Sequence, residues 1–81
     1  MNLLTLALVA IRSAALALTV AGDSSTGSKL YLVADAIEAG KATDAHMALV
    51  AEKLKAGAIT EADWADVLAR IEADHAALQN S

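Results

Sequence analysis

Apolar positions recur along this chain in quartets 17 residues apart: Leu30, Val33, Ala34 and Ile37, then Met47, Val50, Ala51 and Leu54, then Trp64, Val67, Leu68 and Ile71. Each quartet has the i, i+3, i+4, i+7 spacing that lines side chains along one face of an α-helix. The connecting segments repeat as well, since Ala39-Gly40-Lys41-Ala42-Thr43-Asp44-Ala45 is echoed by Ala56-Gly57-Ala58-Ile59-Thr60-Glu61-Ala62. The pattern predicts three amphipathic helices whose inward faces are Leu30, Val33 and Ile37, then Met47, Val50 and Leu54, then Trp64, Val67, Leu68 and Ile71. A duplication and a coincidence of equal helix-turn units predict the same inward faces. Carried backwards, the register reaches Ser13, Leu16, Ala17 and Val20, a diluted fourth copy expected to turn the N-terminal segment toward the other three.

That N-terminal segment has a different character. Residues 2–21 are almost continuously apolar, and Gly22 closes them before the polar stretch Asp23-Ser24-Ser25-Thr26-Gly27. A glycine just past the last periodic position is a helix stop. The predicted architecture is a single all-α domain over 1–81 with helices at about 2–21, 28–39, 44–56 and 61–78 and a loop at 22–27. Ser28 is placed to cap the second helix and Thr43 or Asp44 the third. Thr60 with Asp63 makes a short variant of the capping box for the fourth. At 1.5 Å per residue these helices run roughly 30, 18, 18 and 27 Å. The short connections favour packing between sequential neighbours.

Three stripes divide the first helix. Ala7, Ala10, Ala14, Ala17 and Ala21 form a seam of small side chains that admits close helix approach. Leu4, Leu8, Ile11, Ala15 and Leu18 form an adjacent aliphatic stripe, and Leu6, Val9, Leu16 and Val20 cover much of what remains. Thr5, Arg12 and Thr19 leave a narrow polar strip. A helix apolar nearly all round is buried nearly all round, and three short helices cover about half of it. The surplus surface predicts an interface at Leu4, Ala7, Leu8, Ala10, Ile11, Ala14, Ala17, Leu18 and Ala21. Other copies of the chain, or a larger protein assembly, rank above lipid as the cover. Arg12 sits at the midpoint, where a charge in a bilayer costs about 2.5–3.5 kcal/mol on insertion scales, and no basic residue precedes the segment to orient it. The same lack of an early Lys or Arg argues against a cleaved signal peptide.

Composition sharpens this picture mainly by exclusion. The chain has 81 residues with no Cys and no Pro, and Ala and Leu dominate its apolar 57%. Disulfides and thiolate metal sites are therefore ruled out, and helix is favoured at most positions. A net charge of −4 with six scattered basic residues does not suit a nucleic-acid surface. His46 and His75 have no partners at a convincing metal spacing, although Glu72 is well placed beside His75. Asp63, Asp66 and Arg70 share a helix face, but paired carboxylates act as acid and base only in a cleft that separates their pKa values. The stretch 22–29 lacks the Gly-Lys-Ser/Thr ending of a phosphate loop. No catalytic residue, cofactor site or metal site is predicted. Trp64 is assigned to the core and Tyr31 to a rim.

The stretch from Leu54 to Ile71, with Leu54, Gly57, Ile59-Thr60, Asp63 and Trp64, resembles the short oligomerisation domains called SHOCT, though Ala62 replaces one of their two acids and the usual following Lys pair is missing. More broadly, the alanine-rich run from Ile37 to Leu78 resembles short helical proteins encoded by tailed phages and prophages. That resemblance implies a virion component or assembly factor, in the virion or the host cytoplasm, and carries no functional residue over. The resulting expectation is a non-enzymatic interaction protein. A small single-span protein of the inner membrane, with residues 3–21 across the bilayer, and an acidic inhibitor of a host protein are the alternatives.

Overall fold

A computed structural model describes residues 3–57 and 60–80. Four helices follow one another: α1 (Leu3–Val20), α2 (Ser24–Glu38), α3 (Asp44–Lys55) and α4 (Glu61–Gln79). No strand occurs among the described residues. The predicted start of the first helix at Asn2, and Ala58 and Ile59 of the repeated turn, lie outside the described residues.

The inward quartets meet as their spacing predicts. Leu30, Val33, Ala34, Ile37, Val50, Trp64, Val67 and Ile71 are buried in one core, with Met47, Leu54 and Leu68 half-buried against it. Ala51 alone of the three quartets is exposed. Helix α2 is central: α1 packs along it, α4 packs on it as well, and α3 packs mainly on α4. The Cα radius of gyration is 12.2 Å, close to the roughly 12 Å of a folded chain this long, so α1 lies against the bundle and does not project from it.

The connection between α1 and α2 departs from expectation. Residues 22–27 are not a loop, because α2 begins at Ser24 and Asp23, not Ser28, is its cap. Asp23 accepts from the Thr26 backbone N–H at 3.3 Å and from Thr26 Oγ1 at 2.8 Å. Gly22, at φ 96°, ends α1 in a Schellman turn, with its own N–H donating to the Thr19 carbonyl and that of Asp23 to Leu18. A glycine adopts that left-handed conformation without steric penalty. The polar composition of 23–28 thus signals a cap and a first helical turn, which contain the same residue types as a loop.

Gly27 then sets how α1 lies. It is buried in α2, and a Cβ there would stand 2.9 Å from the Ala15 carbonyl oxygen and closer still to Thr19 Oγ1. The two helices cross in close contact at this point, which fixes the rotation of α1 about its own axis. Leu8, Ile11 and Ala15 consequently enter the core, and Ala14 and Leu18 pack against it. This corrects the assignment of Leu8, Ile11, Ala14 and Leu18 to an outward interface. Ala10, Ala17 and Ala21 are exposed, Ala7 is half-buried and Leu4 is 47% exposed. The presumed fourth inward copy is also corrected: Ser13, Leu16, Ala17 and Val20 all face outward. They lie on the side of α1 opposite Ala15 and Leu8, so the 17-residue register ends at Leu30.

Candidate functional site

Several side chains able to do chemistry help to hold the bundle together. His46 is buried, with 4% of its surface exposed. Its Nδ1 accepts from the Thr43 backbone N–H at 2.9 Å, so Nε2 carries the proton and donates to Asp74 Oδ2 at 2.7 Å. The ring therefore closes a capping box at the start of α3 and ties that helix to α4. A metal ligand or a general base needs a free nitrogen lone pair, and neither nitrogen has one to offer here. The partnership with Asp74 spans 28 residues and left no periodic trace in the sequence. Of its other half only Thr43 as a cap was legible, because a capping box ordinarily carries Glu or Gln where His46 stands.

The remaining candidates are surface pairs. Asp63 accepts hydrogen bonds from the Thr60 hydroxyl and lies 3.5 Å from Lys53 Nζ. The hydroxyl above all, with the lysine charge, holds its carboxyl below the usual aspartate range. Asp66 pairs with Arg70 at 3.0 Å, one turn along α4 and in solvent. Ser24, Ser25 and Thr26, expected in a loop, belong to the first turn of α2. No group of three or more metal-binding side chains occurs among the described residues.

Arg12 is neutralised within the chain. Its two terminal nitrogens reach Glu38 Oε2 and Oε1, each at 3.3 Å, and Nη2 also reaches Asp35 Oδ1 at 3.4 Å. Two carboxylates, Glu38 foremost, raise the guanidinium pKa further and clamp the middle of α1 to α2. The fork geometry adds direction to an otherwise exposed ion pair.

What remains unpartnered is the outer face of α1. Leu6 and Val9 are each 51% exposed, Leu16 is 56% and Val20 79%. Ala10, Ser13 and Ala17 are exposed between them. A shallow open groove runs beside this ridge, between α1 and α2, with Val9, Ser13 and Leu16 on one wall and Tyr31 and Glu38 on the other. Tyr31 is 36% exposed. The stripe that faces outward is thus the one the sequence treated as residual circumference.

Among the described residues no helix is long and apolar enough to cross a membrane. The 18 residues of α1 span about 27 Å, against about 30 Å of bilayer hydrocarbon. Compared with protein-family models, with curated proteins and with solved structures, the chain matches none.

Proposed function

We propose that this chain is a non-enzymatic structural protein that enters a multi-copy assembly through the outer face of α1. One observation carries the reading: Leu6, Val9, Leu16 and Val20, with Ala10, Ser13 and Ala17 between them, form an exposed, largely apolar ridge on a domain whose core is already closed without them. Scattered single apolar residues are normal on a surface, whereas a contiguous ridge of this kind marks an interaction site. Of the interface residues named from the sequence, Ala10 and Ala17 lie on this face, Ala21 is exposed just past the end of α1, and Leu4, though partly exposed, lines a separate groove with Ile37, Ala42 and Met47. The resemblance of the run 37–78 to short phage and prophage proteins favours a virion component or assembly factor as the setting, and the SHOCT-like stretch 54–71 favours oligomerisation as the mode.

Sedimentation velocity in detergent-free buffer tests this. Wild type is expected to sediment as an oligomer at tens of micromolar, and Leu16→Glu as a monomer with unchanged helical circular dichroism, because Leu16 contributes nothing to the core. A wild-type monomer at that concentration removes the reading. Alkaline carbonate extraction separates it from a single-span membrane protein: retention in the pellet would favour the bilayer.

A further inference from the structure

We infer that α3 is a hinged flap, which lifts as a unit from a platform of α1, α2 and α4 that stays folded beneath it. The core is nearly complete without α3. Among the described residues Val50 is the one apolar side chain that α3 buries, while α1 supplies Leu8, Ile11 and Ala15 and the rest come from α2 and α4. Of the 12 residues of α3 only His46 and Val50 are buried, one turn apart, so a single narrow strip holds the helix down. Open grooves flank that strip on both sides. One separates Asp44 and Met47 from Leu4 and Ile37, and the other runs between Leu49 and Glu52 of α3 and Arg70 and Asp74 of α4.

The polar contacts that pin α3 lie toward its two ends. His46 Nε2 donates to Asp74 Oδ2 at 2.7 Å near the start, and Lys53 Nζ lies 3.5 Å from Asp63 near the end. The Asp74 side chain is 63% exposed and that of Asp63 34%, so water takes over the carboxylate's half of either contact as the helix lifts. Gly40 and Gly57, both at positive φ, bound the segment and serve as hinges. An isolated helix of this length barely holds in water. A lifted α3 therefore unravels, which returns conformational entropy to the chain and makes opening a local unfolding event. Opening also strips His46 of its partners, so the imidazole committed to structure in the closed domain has free nitrogens only in the open one.

The chain has no cysteine, so an introduced thiol reports on one site of the full-length protein. Val50→Cys reads α3, and Val33→Cys and Val67→Cys read α2 and α4, at positions that are all buried. With a slow thiol reagent and no denaturant, Val50→Cys is expected to be labelled at least about tenfold faster than the other two, as local opening requires. Urea should speed its labelling less steeply, because the flap exposes less surface than whole-domain unfolding does. Equal rates with equal urea dependence at the three sites would overturn the flap. Adding Gly27→Ala separates the two openings further. The crossing of α1 and α2 at Gly27 persists when α3 lifts and is lost when the domain unfolds, so the substitution should speed labelling of Val33→Cys and Val67→Cys and leave Val50→Cys unchanged. A parallel rise at all three sites would show that α3 opens only with the whole domain. Hydrogen exchange of wild type reads the same event without a core substitution: amides of residues 48–55 as slow as the slowest of α2 and α4 would overturn the proposal, whatever the cysteine variants do to the fold.

Discussion

His46 illustrates how a side chain with catalytic potential is committed to structure. One nitrogen serves Thr43 at the start of α3 and the other serves Asp74 on α4, in a ring nearly sealed from solvent. His46→Ala removes both hydrogen bonds and leaves a cavity. The expected loss is about 2–3 kcal/mol in urea unfolding, combining a lost cap with an unfilled buried volume. His46→Gln keeps a side chain able to reach back to the Thr43 N–H, so it should recover part of that loss, whereas Asp74→Asn should cost less than His46→Ala because an acceptor oxygen remains. Equal stability of wild type and His46→Ala would refute the clamp. The Thr43 cap was legible in the sequence, but the part His46 plays in it was not, and the long-range half required the fold to bring Asp74 alongside.

The relation of α1 to α2 depends on one missing methyl group. At Gly27 an alanine gains about 1 kcal/mol of helix propensity, yet its Cβ meets the backbone oxygen of Ala15 at 2.9 Å. Backbone cannot rotate away as a side chain can, so the helices must separate. Overpacking of this kind costs about 1–3 kcal/mol, and Gly27→Ala is expected to be net destabilising by about 1 kcal/mol or more, Gly27→Val by more again. Thermal melts check this, and a stabilised Gly27→Ala would show that the crossing is looser than the structure indicates. The sequence marked Gly27 as the end of a polar loop because a glycine for close approach and a glycine for a turn look alike in one dimension. Elements with a single apolar face were read more securely. For α2 and α4 the quartets left one orientation that buries Leu30, Val33, Ile37, Trp64, Val67 and Ile71 together.

The whole domain combines a closed core with an apolar ridge that the core does not use. A domain of this size is only marginally stable, so the association proposed through α1 would add stability by mass action. The melting temperature of wild type is therefore expected to rise as concentration increases from about 1 to 100 micromolar, while that of Leu16→Glu stays constant. A wild-type melting temperature independent of concentration would count against assembly.

Periodicity along the chain was sufficient for the all-α class, the four helices, and the inward faces of α2 and α4, because each of those helices has one apolar face and burial admits a single rotation; in α3 it found Val50 but not buried His46, and it placed exposed Ala51 inside. It was not sufficient for α1, where nearly every rotation buries apolar surface and the hydrophobic effect has no direction of its own. The contact at Gly27 and the fork between Arg12 and Glu38 select the rotation, and both join residues far apart in the chain. They turn Leu8, Ile11 and Ala15 inward and leave Leu6, Val9, Leu16 and Val20 outside. Which stripe of the first helix is left exposed is therefore a property of the packed molecule, set by steric fit and charge pairing between helices.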